Sequence, residues 1–551
     1  MTYRQWLLRC LAGGWKCGIA IAMVAGLFLA TEALAGQTVH TYDAQNRLIR
    51  TDYPDGSSTT FTYNAVGRLT QITDSISGTI ELSYDNLDRL IQETTALGTI
   101  RYTYDAIGRR ASMTINGGQP ITYQYDAASR LMQVAQGSQI VTIGYDAANR
   151  RTSLTYPNGT STSYTYDAAS RITTIIHSGP GGLIESLSYT HDAGGNRIAA
   201  TRTSGAATLL PAAMQATYDA ANQQAQFNSA TPNLTYDGNG NLTSVTDAGN
   251  TTSYTWDARD RLTGITGPGV TASFSYDALG RRMSKTVNGV TTQYLYDGKD
   301  IVAEIQGGAI TVIYLRGLRP DDPFVRISSS GNEYYHGDAQ GSIVALTNQA
   351  GAVVATYTYE PFGKSMSTGL STNPFQYTGR ENDGAGLYFY RARYYSPTHE
   401  RFISEDPILA PMNPLAKGLC RLTNGTVWML PGMVRNPDAA PPQRLNPYVY
   451  VRNSPTNYSD PSGLIDKRPC GPQIDQCISQ TRGTPLGNCL GTAYGLYFGG
   501  DTSNCKKGIF TRKCLGEDQS QVIANCSGQG PFPEPCTNGV GKCIDNDPSF
   551  K

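Results

Sequence analysis

The sequence predicts an all-β fold of stacked hairpins, and three observations lead to it. A motif consisting of an aromatic residue, Asp, two variable residues, a turn former and Arg recurs about every 20 residues, as at Tyr84, Tyr104 and Tyr125. The segments between its copies are rich in Thr, Ile, Val and Tyr, which favour strands. The chain also contains 35 Tyr against 13 Phe, as expected where many rings are half-buried and keep their hydroxyls hydrogen-bonded.

Each copy of the motif predicts two strands joined by tight turns. Asp favours the start of a type I turn, because its side chain accepts hydrogen bonds from the backbone ahead. Many copies carry a second turn signal about half-way along, such as Asn116-Gly117-Gly118. A single hairpin is marginal alone, so the copies between residues 36 and 310 are expected to stack into one wall. We interpret the repeated Asp and Tyr residues as structural.

Composition excludes several classes of function. The 551 residues carry 44 basic and 44 acidic side chains, so no basic excess favours nucleic-acid binding. Five scattered His residues show no metal-ligand spacing, and no phosphate or dinucleotide motif is complete. We therefore expect neither a metal nor a cofactor.

The first 35 residues have the pattern of a secretory signal peptide. Three basic residues precede an apolar run at 19–30, and the signal cleavage bond is predicted between Ala35 and Gly36. The run is too short to span a bilayer well, although a retained anchor is the alternative. The sequence thus predicts an exported protein that is periplasmic, cell-surface or secreted and has no membrane span once the signal is removed.

After residue 310 the strict period gives way to a second set of motifs. These motifs resemble the core segment of the Rhs/YD-repeat family, which includes the C subunits of insecticidal toxin complexes and the shell of teneurins. With the repeats, the resemblance covers about residues 37 to 464. The core motifs stand at Tyr334–Leu346, Thr358–Gly363, Phe375–Glu381, Gly386–Tyr395 and Arg401–Pro407.

The resemblance implies both an architecture and a reaction. The repeats would form a β-strand spiral that closes into a hollow shell, and a variable C-terminal polypeptide would be held inside and freed by self-cleavage. The family's cleavage signature matches Asp460-Pro461-Ser462-Gly463-Leu464, which implies a cut between Leu464 and Ile465 by a reaction similar to that of an aspartic protease.

Two aspartates are the candidate catalytic pair. Asp460 opens the cleavage motif and Asp406 lies in Ser-Glu-Asp-Pro. Two carboxylates that share one site have pKa values pushed apart, which supplies an acid and a base together. The alternative is that both Asp-Pro pairs only start turns.

Two features depart from the family. Residues 409–444 form a Pro-rich insertion within the predicted core segment, 311–464, and put in doubt whether Asp406 still meets the cleavage segment. The repeat count is also low, so a small or partly open shell is as compatible with the sequence as a closed one.

Residues 465–551 have a different composition. A disulfide framework is predicted from eight cysteines in a short exported segment, and a zinc site is the weaker alternative because no Cys-x-x-Cys pair or His is present. The sequence does not indicate what the tail does: a toxin, a small binding domain and an inactive plug are all compatible with it. The disulfide candidates are Cys470, Cys477, Cys489, Cys505, Cys514, Cys526, Cys536 and Cys543.

The sequence therefore favours an exported β-shell protein that encloses or displays a variable C-terminal domain as its own cargo. Enzymatic activity would be at most a single-turnover self-cleavage. Partners would be the C-terminal segment itself and either a target-cell surface or an immunity protein. The alternatives are a non-catalytic adhesive surface protein that displays the tail, and a truncated relative with a remnant tail.

Overall fold

The computed structural model describes residues 37–203, 209, 213–407 and 446–464. Over these ranges the chain consists of 36 β-strands and two short 3₁₀ turns, Tyr377–Gly379 and Val451–Asn453. The prediction of an all-β fold is confirmed. The predicted disulfide-rich tail lies outside the described residues.

The first sheet contains 16 strands in chain order, each antiparallel pair following from a hairpin. Its strands are β1 Val39–Tyr42, β2 Leu48–Asp52, β3 Ser58–Tyr63, β4 Leu69–Asp74, β5 Gly78–Tyr84, β6 Leu90–Thr95, β7 Gly98–Tyr104, β8 Arg110–Ile115, β9 Ile121–Tyr125, β10 Leu131–Gln136, β11 Gln139–Tyr145, β12 Arg151–Thr155, β13 Ser161–Tyr166, β14 Ile172–Gly179, β15 Gly182–His191 and β16 Arg197–Arg202.

A two-stranded sheet follows where the sequence repeat is degenerate, and it is formed by β17 Ala216–Tyr218 and β18 Gln224–Phe227. A 14-stranded sheet then resumes the chain order. Its strands are β19 Leu234–Tyr236, β20 Leu242–Asp247, β21 Asn250–Trp256, β22 Leu262–Gly267, β23 Val270–Tyr276, β24 Arg282–Val287, β25 Val290–Asp297, β26 Asp300–Gln306, β27 Ala309–Arg316, β28 Pro323–Ser328, β29 Glu333–Gly337, β30 Ile343–Thr347, β31 Val353–Tyr359 and β32 Ser365–Gly369.

A four-stranded sheet follows the 14-stranded sheet in the chain. It is made of very short strands whose residues are mostly buried. They are β33 Glu381–Asn382, β34 Tyr388–Tyr390, β35 Arg393–Ser396 and β36 Arg401–Phe402.

The repeated motif forms the predicted turn, as the copy at Tyr84 shows. Asp85 Oδ1 accepts the N–H groups of Leu87 and Arg89, both at 2.9 Å, and Oδ2 accepts Arg89 Nε at 2.7 Å. The Arg89 guanidinium then lies 4.6 Å from the ring centre of Tyr104 in the next copy. The Tyr104 hydroxyl donates to the Leu90 carbonyl at 2.6 Å. One motif thus closes its own turn and binds the next.

The described residues divide into two compact units. Unit 1 comprises residues up to 161, 248–335 and 348–351, and unit 2 comprises 162–247, 336–347 and the residues from 352 onward.

Within unit 1, side chains of later strands contact side chains of earlier strands that are far away in the sequence. Arg281 Nη2 lies 2.6 Å from Glu93 Oε1, and Arg110 Nη2 donates to Asp297 Oδ1 at 3.0 Å. The partners are 188 and 187 residues apart in the chain. These ion pairs have little exposure and stabilise the contact between the strands, because loss of either partner would leave a desolvated charge unpaired.

Unit 2 contains an aromatic core. Tyr377, Tyr388, Tyr390, Tyr395, Phe402 and Tyr450 form one cluster in which every side chain is buried. The Tyr390 hydroxyl lies 2.7 Å from Thr378 Oγ1 and 3.1 Å from the Tyr450 hydroxyl, so polar ends are paired inside the cluster. This core supports the four-stranded sheet and the candidate site.

Candidate self-cleavage site

A buried arginine on strand β35 is the centre of the site. The Arg393 guanidinium carbon lies 3.6 Å from the ring centre of Phe402, and its side chain has no exposed surface. Arg393 Nη1 donates to the Pro447 carbonyl at 2.8 Å, and Nε donates to the Gly463 carbonyl. Arginine suits such a place because its planar fork stacks on a ring and donates in several directions at once.

Asp406 and Asp460 meet at this arginine. Arg393 Nη2 lies 3.1 Å from Asp406 Oδ2 and 3.6 Å from Asp460 Oδ2. The Asp406 side chain is fully buried and that of Asp460 is 10 % exposed. The insertion at 409–444 therefore does not keep the two predicted aspartates apart.

Asp460 also starts a turn, as the structural interpretation expected. Its Oδ1 accepts the N–H groups of Ser462 and Leu464, both at 3.2 Å, and the Ser462 hydroxyl at 3.0 Å. Asp85 makes the same pair of bonds to the second and fourth residues ahead. What distinguishes Asp460 is the buried second carboxylate beside a shared guanidinium.

The surroundings of Asp460 raise the pKa of its carboxyl group. Burial raises the pKa of Asp460 to about 6, and the neighbouring Asp406 carboxylate adds to the rise. Arg393 and the donors on Ser462 and Leu464 oppose it. Burial also lowers the pKa of the Arg393 guanidinium. Asp460 can therefore gain or lose a proton near neutral pH, which an acid–base catalyst requires.

The segment that follows Asp460 is held by backbone contacts to the β34–β35 hairpin. The Ala392 N–H donates to the Ser462 carbonyl at 3.2 Å. Gly463 has φ +70°, and a Cβ atom there would overlap the Tyr390 carbonyl oxygen. Glycine is required at this position both for its left-handed backbone and for the close approach.

Of the predicted site residues, the structure describes Asp406, Asp460 and Leu464, which is half-buried. Ile465, the other side of the predicted cleavage bond, lies outside the described residues. So do both sides of the predicted signal cleavage, Ala35 and Gly36. The eight candidate disulfide cysteines also fall outside them, namely Cys470, Cys477, Cys489, Cys505, Cys514, Cys526, Cys536 and Cys543.

Sequence reasoning missed the role of Arg393. The signal was present: Arg391 and Arg393 interrupt a run that is otherwise aromatic, Tyr388-Phe389-Tyr390 and Tyr394-Tyr395. A charged residue within a buried strand is expected to have a partner. The sequence alone could not say that the partners are the two aspartates.

Within the ranges that the structure describes, no group of three or more His, Cys, Asp or Glu residues is placed to hold a metal ion. In the same part of the chain, no helix has the length and apolar character needed to cross a membrane.

Known proteins resemble this chain over parts of its length. The tRNA nuclease WapA of Bacillus subtilis strain 168 is 38 % identical over 79 residues, which are 13 % of this chain and 3 % of WapA. Toxin subunit YenC2 of Yersinia entomophaga is 30 % identical over 122 residues, which are 21 % of this chain and 9 % of YenC2. The chain therefore spans only a small fraction of these relatives.

Among solved structures, the TcdB2–TccC3 crystal structure matches with a TM-score of 0.52 at 18 % identity, over 78 % of this chain and 28 % of that chain. At this identity the match shows a shared fold. The family model of the teneurin YD-shell matches residues 27–152 and 155–412, which is most of the chain. The protein thus belongs to the teneurin YD-shell family, as the Rhs/YD-repeat resemblance predicted.

Proposed function

We propose that this protein is an exported β-shell carrier that releases its own C-terminal segment, residues 465–551, by a single hydrolysis after Leu464. The observation that carries the proposal is the meeting of Asp406 and Asp460 at Arg393, with distances of 3.1 and 3.6 Å to one nitrogen. The released segment is proposed to be toxic, because matched relatives include a tRNA nuclease and a toxin subunit.

The proposed reaction is the hydrolysis of one peptide bond. Water adds to the Leu464 carbonyl carbon, the bond to the Ile465 nitrogen breaks, and a carboxylate and an amino group form. The ionised carboxyl group, Asp406, accepts a proton from the attacking water. The protonated one, Asp460, gives its proton to the departing nitrogen.

Arg393 makes this division of roles favourable. Its Nη2 lies closer to Asp406 than to Asp460, at 3.1 Å against 3.6 Å, so its positive charge faces Asp406 more directly. Burial leaves Asp460 with a pKa of about 6, within reach of protonation near neutral pH. The rate of cleavage is therefore expected to fall as pH rises above about 6.

Intact-mass spectrometry of the purified chain, with and without reduction, tests the proposal. We expect two reduced species, one ending at Leu464 and one beginning at Ile465, and a single full-length species for Asp406→Asn and Asp460→Asn. Asp85→Asn is the matched control, since Asp85 makes the same turn bonds without a second carboxylate. One full-length species from the unmodified chain would overturn self-release and favour a protein that only displays its tail.

A further inference from the structure

The turn that joins β34 to β35 has an unfavourable residue at its first position. Tyr390 pairs with Arg393, so the turn consists of Arg391 and Ala392 alone. Arg391 has φ +60°. Two-residue hairpin turns with positive φ at this position normally use Gly, because side chains crowd the left-handed backbone. Strain kept in a turn points to a role for the side chain that causes it.

The Arg391 side chain reaches the cleavage segment. Its Nη1 donates to the carbonyl oxygen of Pro461, four residues before the predicted cut. Arg380 Nη1 donates to the same oxygen at 3.3 Å from the end of the Tyr377–Gly379 turn. Two cationic donors on one backbone carbonyl make stronger bonds than neutral donors would.

The backbone of the same turn continues the contact. The Ala392 N–H donates to the Ser462 carbonyl at 3.2 Å, and Arg393 Nε donates to the Gly463 carbonyl. Three successive carbonyl groups of the cleavage segment are therefore bound by Arg380 and residues 391–393. All four hydrogen bonds are made to backbone carbonyls and none of them to a side chain of the bound segment, so they fix its position and register.

We propose that Arg391 and Arg380 form a clamp that positions residues 460–464 for cleavage. They act as positioning residues, since they touch the segment away from the bond that is cut. The effect of the clamp on cleavage rests on the proposed function. The binding of residues 460–464 by the clamp does not depend on it. The benefit of an arginine at a turn position that would favour glycine is the hydrogen bond that its guanidinium donates to Pro461.

This trade-off gives a test in which stability and cleavage respond differently. Arg391→Gly relieves the strained backbone and removes the donor to Pro461. We expect an unchanged or higher Tm, cleavage slowed by roughly tenfold or more, and faster hydrogen–deuterium exchange in peptides covering 460–464. The pH profile of the remaining cleavage should keep its shape, because the two aspartates and Arg393 are untouched.

Two further variants make the test decisive. Arg391→Lys keeps the charge and the strain but loses the fork, and should slow cleavage less than Arg391→Gly. Asn46→Gly is the matched control, because Asn46 is an exposed turn residue with φ +58°. It should change neither the cleavage rate nor exchange in 460–464.

The outcomes separate the clamp from the proposed function. If Arg391→Gly cleaves and exchanges at wild-type rates, the clamp is overturned. A fall in Tm that accounts for the slower cleavage would also overturn it, because Arg391 would then serve the fold alone. If the unmodified chain never cleaves but Arg391→Gly accelerates exchange in 460–464, the clamp stands and self-cleavage fails.

Discussion

A buried pair of histidines in unit 2 predicts acid sensitivity. His177 on β14 and His336 on β29 have no exposed surface, and their ring centres lie 5.1 Å apart at 67°. His177 Nδ1 lies 2.8 Å from Thr162 Oγ1, and His336 Nε2 lies 3.0 Å from Thr347 Oγ1. The pair is thus enclosed, and a charge on either ring would be buried beside the other.

The direction of the pH effect follows from the pKa shifts. Burial lowers the pKa of His177 to about 4; the backbone of Gly337 and the charge of Glu185 oppose the change, while Arg202 adds to it. Burial and the neighbouring His177 hold the pKa of His336 well below its usual range. Both groups bind protons more readily in the unfolded chain, where His has a pKa of about 6.5. The contribution of the two neutral histidines to the unfolding free energy is therefore fully present above about pH 6.5 and is lost as pH falls.

The size of the loss can be worked from His177 alone. A depression from about 6.5 to about 4 corresponds to about 3 kcal/mol of unfolding free energy lost by pH 4. With both rings counted, the free energy of unfolding should fall by up to about 2.7 kcal/mol per pH unit below pH 6. A loss of this size, about 3 kcal/mol from His177 alone, is a large part of the total stability of a typical domain.

Urea denaturation between pH 7.5 and 4.5, followed by fluorescence, measures this slope. The double variant His177→Gln/His336→Gln should be less stable at neutral pH. Its unfolding free energy should depend less steeply on pH, by the equivalent of nearly two fewer protons taken up on unfolding. His191→Gln, at a half-buried strand end, is the control and should run parallel to the unmodified chain. Equal slopes for the double variant and the unmodified chain would refute the reasoning.

Three other predictions follow from buried contacts. Gly463→Ala should abolish cleavage, because its Cβ overlaps the Tyr390 carbonyl oxygen; mass spectrometry showing wild-type cleavage would contradict this. Arg393→Met should lower the unfolding free energy by about 3–5 kcal/mol, since two buried carboxylates lose their shared cation; an unchanged thermal melt would disprove it. Arg110→Met should lower the unfolding free energy by about 1–3 kcal/mol, whereas Arg50→Met, from an exposed pair, should lower it clearly less in the same denaturation assay; equal losses would exclude a special role for the partly buried pair.

The local chemistry of this protein could be predicted from its sequence because it operates over a few residues. The turn at Asp85 needs only the two N–H groups and the arginine within the next four positions. Its repetition about every 20 residues predicted antiparallel hairpins and an all-β chain, and the structure confirms both. The same local rule supplied the alternative interpretation of Asp460 as the start of a turn, and Asp460 does make the bonds of such a turn.

Tertiary structure alone decided which distant groups meet. Asp406 and Asp460 are separated by an insertion in the sequence, and they meet at Arg393 beside the aromatic cluster that contains Tyr390. His177 and His336 likewise meet across strands far apart in sequence. Sequence by itself determined the turns and strands, because their hydrogen bonds close within one hairpin. The buried charges and rings depended on packing, because their pKa values and partners arise from groups that are remote in the chain.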